Sequence, residues 1–352
     1  MAQASAADTV ANIYKTPELW QKIVFTFVCM VVYRVGSHVT VPGVDVVAVL
    51  DYFRNQAGSG LLGLYDLFSG GSMSRATVLA LGIMPYISAS IFVQIAGAVL
   101  PQVDKLQKDE EGRKKLTQWT RYLTVALAIV QAWGFGLFTE SVPGAVVAPG
   151  FAFKVQMTLF LTTGAMFTMW LGEQITERGL GNGASLLIFF SIVQGFWPAI
   201  FQTFQFVGSG AVNVFSLLVL AVVMVAVVAG VVAMTMAARR ILIQIPQRSV
   251  GKGRMRQEAR NFIPLRLNSA GVMPIIFAQS VIVVPGAIAQ FSGNESLKTF
   301  AEYFNPTSWL YFALTGLLIL FFTYFYTSII FNPVDLAENL KKQGGFVPGV
   351  RP

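Results

Sequence analysis

Six stretches of this sequence contain no Lys, Arg, Asp or Glu, and their length constrains the fold more than any other feature. They cover 76–103, 122–139, 155–172, 179–238, 267–294 and 303–334. A helix needs about 20 apolar residues to cross a bilayer. Charged residues make up only 12% of the chain, about half the usual share. The sequence therefore argues against a water-soluble fold and predicts an all-α polytopic membrane protein.

Apolar runs and their polar borders predict about eight membrane-spanning helices. Backbone groups in lipid must be hydrogen-bonded within the segment, and the runs are too long for the strands of a membrane barrel. The predicted spans are 21–36, 76–100, 119–139, 154–173, 184–206, 214–238, 269–290 and 308–331.

The placement of Lys and Arg predicts which side of the membrane each loop occupies. With the amino terminus in the cytoplasm, 20 of the 25 basic residues fall on the cytoplasmic side, where positive charge collects. We therefore expect 1–20 to be a cytoplasmic segment. The net charge of +8 then belongs to one face of the membrane.

Two predicted spans share a short sequence. Gly82–Ala89 and Gly271–Ala278 are identical at five of eight positions. The spans are five apart in order, so the copies run in opposite directions, and inverted repeats place a working site at their interface near the middle of the membrane. Pro85 and Pro274 predict distorted helices bordering a cavity, because proline removes a helix hydrogen bond. Coincidence between similar apolar segments is the alternative.

The outer loop between spans 1 and 2 contains a short apolar run after Gly60. It is too short to span and too apolar for a solvated loop, so it predicts either a re-entrant helix or a helix lying on the membrane surface.

Ile83 and Ile87 share one helix face, and Ile276 occupies the repeat position of Ile87. A pore lined by such side chains would close by excluding water.

The loop from Arg239 to Arg266 carries eight basic residues and one acid. Apolar runs flank a Gly-Lys-Gly turn at Gly251, which predicts a hairpin-like arm. Its charge is explained by membrane topology, by anionic lipid or by a phosphate-rich partner.

The predicted spans hold almost no charge, which disfavours an ion-coupled carrier. No catalytic site, metal site or cofactor motif can be defended, and we expect no enzyme activity.

The sequence resembles the SecY family, the channel subunit of the bacterial protein-translocation complex, along almost its whole length. The resemblance is carried by Tyr33–Gly36, Val41–Gly43, Leu67–Gly71, Leu81–Ser90, Trp170–Gly179, Gly181–Gly183, Pro264–Asn268, Ala270–Pro274, Phe331–Pro333 and Gly345–Pro352. It implies a clamshell of inverted five-span repeats around an hourglass pore. The first half is expected at 21–206. The second, at 207–352 with cytoplasmic loops 239–267 and 332–352, is expected to be incomplete because the sequence stops before the family's spans 9 and 10.

The resemblance also implies roles for residues at matching motif positions. An aliphatic pore ring would comprise Ile83, Ile87, Ala184, Ile188 and Ile276, with Ala184 smaller than the family's usual side chain. A plug at about 60–68 would include Gly60, Leu61, Leu62, Leu64 and Leu67. The polar members of a lateral gate would be Ser88, Gln131 and Asn268. A docking surface for SecA or the ribosome and its rRNA would include Arg248, Lys252, Arg254, Arg256 and Arg351.

The function implied by the resemblance is a channel in the bacterial inner membrane. It would pass unfolded secretory polypeptides, with their signal sequences, and release transmembrane segments sideways into lipid. SecE and SecG would be partner subunits. The sequence leaves two alternatives open: a solute transporter with inverted repeats, and a membrane scaffold without a conduit. We also expect that the chain, lacking two spans, does not conduct by itself.

Overall fold

A computed structural model describes residues 16–57, 61–210, 213–243, 261–279, 281–282, 308–330, 337–338 and 341–342. The chain divides into two compact units. The first comprises Met1–Thr203 and Gln279–Thr315, and the second comprises Phe204–Ala278 and Gly316–Pro352. Helices dominate the described residues of both units.

The helices follow the apolar runs of the sequence. Their bounds are α1 Pro17–Gly36, α2 Val46–Tyr52, α3 Leu61–Ser69, α4 Met84–Val99, α5 Pro101–Lys108, α6 Glu110–Ser141, α7 Phe151–Arg178, α8 Gly183–Gly208, α9 Val214–Met236 and α10 Trp309–Ile330. A π-helical turn, Phe53–Ala57, follows α2, and residues 273–279 are also helical.

Five helices in the described ranges are long and apolar enough to cross a membrane, or six if the bent pair α4–α5 is counted as one. The predicted spans 21–36, 119–139 and 184–206 lie within α1, α6 and α8, which are among these helices, whereas 154–173 lies within α7, which is not. Those at 214–238 and 308–331 match α9 and α10 to within two residues at each end. The total of eight spans stays a prediction, because much of the seventh lies outside the described residues.

The prediction of one continuous second span over 76–100 was wrong at its amino-terminal end. Residues 78–83 form turns, and α4 begins only at Met84. Gly82 has a φ of +54°, a left-handed conformation that stops a helix from extending backwards through it. Absence of charge marked this stretch as buried, but it did not distinguish a buried turn from a helix.

The sequence predicted that Pro85 and Pro274 distort the helices that contain them. In the structure neither proline lies in the interior of a helix. Pro85 lies in the first turn of α4, where its missing N–H has no helical partner to lose. Pro274 is the second helical residue of 273–279. Both prolines therefore start a helix.

The two copies of the repeated sequence share the same local backbone. Gly82 and Gly271 both have positive φ, +54° and +63°. The N–H of Ile87 donates to the carbonyl of Ile83 at 3.1 Å, and the N–H of Ile276 donates to that of Val272 at 3.3 Å. Equal sequence thus gives equal turn and helix start in both units, whereas the inverted relation of the copies stays a prediction.

Small residues allow close helix packing in the first unit. Ala128 and Ala132 of α6 are fully buried, and a Cβ at Gly136 would lie 3.7 Å from Met157 of α7. A Cβ at Gly164 would overlap the carbonyl of Val78. Contact this close is typical of membrane helices, which associate through packing of small residues.

Ion pairs join α6 and α7 near their ends. Arg121 donates to both carboxylate oxygens of Glu173, at 3.0 and 2.8 Å. Lys154 lies 2.8 Å from Glu140. The two-pronged Arg121–Glu173 pair fixes orientation as well as distance.

The predicted hairpin-like arm is confirmed in the second unit. Strand β1, Ala238–Ile243, pairs antiparallel with β2, Asn261–Arg266, and Ala238 faces Arg266 in the register. The Arg240 guanidinium lies 5.0 Å from the centre of the Phe262 ring. The arm's predicted turn at Gly251 lies outside the described residues.

Candidate functional site

Four of the five predicted pore-ring residues lie in the first unit, on two helices that begin close together. Ile83 precedes α4 and Ile87 lies in its first turns, with 4% and 7% of their surfaces exposed. Ala184 and Ile188 lie one turn apart in α8, where Ala184 is half-buried and Ile188 is 6% exposed. All four side chains are therefore buried or half-buried in the first unit.

Gly172 of α7 is the point where these two helices meet. A Cβ at Gly172 would lie 3.3 Å from Cδ1 of Ile83 and 3.6 Å from the Ala184 nitrogen and from Cδ1 of Leu187. Leu187, which the sequence did not single out, is 1% exposed. The first unit therefore brings Ile83 and Ala184 together across the missing side chain of a glycine.

The fifth predicted ring residue, Ile276, belongs to the second unit and is 7% exposed. Its neighbours Val272 and Ile275 are 65% and 46% exposed. Ile276 therefore lies on the buried face of its helix, as Ile87 does in the first copy. The formation of one ring by both units stays a prediction.

The predicted plug coincides with α3, a nine-residue helix. Leu67 is 43% exposed, Gly60 lies outside the described residues, and only the backbone of Leu61, Leu62 and Leu64 is described. Tyr65 is buried, and its hydroxyl lies 3.3 Å from two acceptors, the carbonyl of Leu81 and Oε1 of Gln131, which share its one hydrogen. Burial raises the pKa of the Tyr65 phenol.

Asp66 ties the end of α3 to the turns that follow. Its Oδ1 accepts from the N–H of Ser74 at 2.9 Å and from the hydroxyl of Ser69 at 3.4 Å. The N–H of Gly71 donates to its carbonyl at 2.8 Å. Burial raises the pKa of this carboxyl, against hydrogen bonds from Ser74 and Ser69 that lower it. The helix and its turns thus form one hydrogen-bonded unit.

An open cavity of about 330 Å³, lined by both polar and apolar residues, lies beside the end of α3. Its lining includes Arg34, Asp66, Arg75, Gln194 and Gln202. Arg34 donates to Oε1 of Gln194, and Nε2 of Gln194 donates to the carbonyl of Gly70. Among the described residues, neither Arg34 nor Arg75 forms an ion pair with a carboxylate. The sequence analysis missed this cavity, whose members are up to 168 positions apart in the chain.

His38 connects the two arginines on the exposed side of the cavity. Arg75 Nη1 lies 2.9 Å from His38 Nε2, and His38 Nδ1 lies 2.9 Å from the carbonyl of Arg34. A guanidinium only donates and a carbonyl only accepts, so these contacts fit a neutral imidazole with its hydrogen on Nδ1.

The three predicted polar gate residues lie in different surroundings. Ser88 of α4 is buried, and Gln131 of α6 holds Tyr65 as described. Asn268 lies in the second unit, where its Oδ1 accepts from the N–H of Gly271 at 2.9 Å and its Nδ2 donates to the Gly271 carbonyl at 3.3 Å. Asn268 therefore stabilises the turn before the second repeated segment, a structural contact that its position alone did not indicate.

The predicted docking residues lie outside the described residues. These are Arg248, Lys252, Arg254, Arg256 and Arg351. The described strands beside them carry Arg239, Arg240 and Arg266, and all three are exposed. The base of the arm is therefore basic at its surface.

Comparison with known proteins gives one consistent family. The SecY family model matches residues 77–352. The protein translocase subunit SecY of Aquifex aeolicus (strain VF5) is 41% identical over 348 residues, which cover 97% of this chain and 80% of the relative. A solved protein-conducting channel has a TM-score of 0.64 at 14% identity, covering 94% of this chain and 78% of its own.

A second solved structure has a TM-score of 0.63 at 15% identity, with 94% of this chain and 78% of its own covered. It is a SecY protein whose plug domain is described as stabilising the closed state and maintaining a membrane seal.

Proposed function

This chain belongs to the SecY family, and from that premise we propose that it is the central channel subunit of a Sec translocon in the bacterial inner membrane. In this function, unfolded secretory polypeptides cross the membrane and transmembrane segments leave sideways into lipid. The observation that carries the proposal is the match to translocase subunits over nearly the whole chain. A solute transporter is not favoured by these relatives.

The pore ring is proposed at Ile83, Ile87, Ala184, Ile188 and Ile276. Its support is burial: four isoleucines of this set are at most 7% exposed, and Ala184 is half-buried. Branched aliphatic side chains at a constriction exclude water and ions without any bound ion to displace. The smaller Ala184 leaves a looser closure at its position.

We propose α3 as the plug. We propose Ser88, Gln131 and Asn268 as the polar members of a lateral gate. The helix is too short to span a membrane, and Tyr65 attaches it to Gln131. A proposed gate residue thus also contacts the proposed plug. Parting the helix that carries Gln131 would strain this contact, which gives a direct route from gate opening to plug release.

The cytoplasmic face is proposed to carry the amino terminus and the basic arm. Most of the basic residues fall on this side when the amino terminus is inside. The proposed partners there are SecA or the ribosome with its rRNA, through Arg248, Lys252, Arg254, Arg256 and Arg351, and anionic lipid. SecE and SecG are the proposed partner subunits, and we expect no catalytic activity, cofactor or metal.

Crosslinking a stalled secretory chain tests the conduit. A photocrosslinking residue replaces Ile188, which is buried, or its neighbour Phe189, which is 61% exposed on the same helix. In the assembled translocon we expect adducts with the stalled chain at position 188 and background yield at 189. Equal yields at the two positions, or none at 188, would contradict the pore assignment and favour a scaffold.

A further inference from the structure

We infer that Arg34 and Gln194 are positioning residues that hold the outer helix α3 in place through the carbonyl of Gly70. The outer helix is followed by two consecutive left-handed glycines, Gly70 at +68° and Gly71 at +74°. Only glycine adopts such a pair without strain, so the turn at the end of the helix depends on these two residues. Gln194 of α8 contacts the turn at that point.

The chemistry of the contact requires a side chain that both accepts and donates between the other two groups. A guanidinium can only donate hydrogen bonds, and a carbonyl can only accept them. The side-chain amide of Gln194 accepts from Arg34 with its oxygen and donates to Gly70 with its nitrogen. Arg34 therefore fixes the orientation of the amide, and the amide holds the turn.

A larger residue at Gly70 would displace the end of the Gln194 side chain. A Cβ there would overlap the Gln194 amide and would lie 3.3 Å from the Cα of Ser191. Ser191 is itself held, because its hydroxyl lies 3.0 Å from the buried hydroxyl of Tyr33 in α1. The contact thus joins the turn to α1 and α8 together.

Most other polar contacts of the outer helix run to its own neighbouring turns. Asp66 contacts Ser74 and Ser69, and Ser69 accepts from the N–H of Met73. The turns that they reach are also held by backbone hydrogen bonds, in which the N–H of Val41 donates to the carbonyl of Ala76 and the N–H of Val78 donates to that of Val39. Tyr65 to Gln131 at 3.3 Å and Gly70 to Gln194 are the polar links from this segment to long helices in the described part of the chain. Breaking the Gln194 link therefore removes the polar contact that holds this turn against α8, while the other hydrogen bonds of the segment remain.

The test measures mobility of the outer helix in the full translocon in lipid nanodiscs. A spin label is placed at Leu67→Cys, which is 43% exposed, after the one native cysteine is removed by Cys29→Ala. Loss of one net hydrogen bond changes an equilibrium by roughly 2- to 12-fold. We expect Gln194→Leu to raise the mobile fraction of the label by about this factor.

Three further variants distinguish loss of the Arg34–Gln194–Gly70 contact, which we call the latch, from general damage to the fold. Gln194→Glu has nearly the same shape and keeps the Arg34 contact but cannot donate to Gly70, so it should also raise mobility. Arg34→Lys should raise mobility less, because it keeps a donor. Gln202→Leu is the matched control: it lines the same cavity from the same helix and has no hydrogen bond among the described residues, so it should leave mobility unchanged.

Unchanged mobility in both Gln194 variants would overturn the inference, as would an equal rise with Gln202→Leu. The idea that this helix seals a channel rests on the proposed function and is tested separately by ion conductance. Increased mobility with increased leak supports both. Increased mobility without leak supports the latch and counts against the seal.

Discussion

The two copies of the repeated segment adopt one backbone in two different environments. In the first unit, Gly82 is buried and its N–H donates to the backbone carbonyl of Leu79 at 2.8 Å. In the second, Gly271 is exposed and its N–H donates to the side chain of Asn268 at 2.9 Å. Leu79 and Asn268 occupy equivalent repeat positions. The comparison shows that the turn comes from the local sequence, whereas its tolerance to substitution comes from what surrounds it.

Leucine in place of each glycine should give the largest difference between the copies. Both substitutions place a side chain at positive φ, which costs about 1–2 kcal/mol. Gly82→Leu must also fit into a buried site beside Ser69, and overpacking adds about 1–3 kcal/mol. At Gly271 a Cβ meets nothing within 4 Å. Thermal unfolding in detergent should therefore show a clearly greater loss for Gly82→Leu.

Alanine is the control for this pair. Gly82→Ala and Gly271→Ala carry mainly the cost of positive φ, so their losses should be similar. Equal losses from the two leucine variants would show that burial does not distinguish the copies.

Removing the Asn268 side chain should weaken only the second copy. Asn268→Ala leaves the Gly271 N–H without its acceptor, at a cost of about 1 kcal/mol. Hydrogen exchange at the Gly271 amide should accelerate, while the Gly82 amide keeps its rate. Asn268→Asp retains an acceptor and should preserve most of the protection. Faster exchange at Gly82 in Asn268→Ala would mean that the two turns are coupled.

Replacing the prolines should have the smallest effect and gives a sign test. A proline inside a helix costs about 3 kcal/mol, so its replacement by alanine would stabilise the protein by about that amount. At a helix start, alanine gains no hydrogen bond and loses the restriction of the unfolded chain, worth about 0.4–1 kcal/mol. We expect Pro85→Ala and Pro274→Ala to lower stability by about this amount in thermal unfolding. A gain of several degrees in melting temperature for either variant would show that the proline lies in the interior of a helix.

The sequence was informative wherever the signal was local. Long uncharged runs predicted most of the membrane helices, and apolar runs on either side of a glycine turn predicted the β1–β2 arm. The second span was misread because residues 78–83 are as apolar as a helix yet fold into turns ended by Gly82. Hydrophobicity reports burial in this stretch and carries little information about backbone conformation.

The polar contacts that the sequence missed depend on the tertiary fold. Gln131 was selected as a gate residue from its position, but its contact with Tyr65 crosses 66 residues. Arg34 and Gln194 are 160 residues apart, and an isolated arginine near a helix end does not indicate its partner. Burial and motif position could locate the aliphatic candidates, whereas these polar pairings required the packed helices.

The arm joins its helix with almost no slack. Ala237 alone separates α9 from β1, and the N–H of Leu267, just beyond β2, donates to its carbonyl at 3.0 Å. Both strands are thus attached at one residue, Ala237, to the end of α9, a helix of 23 residues. A force applied to the arm would therefore act directly on the end of α9, because no flexible linker lies between the helix and the strands.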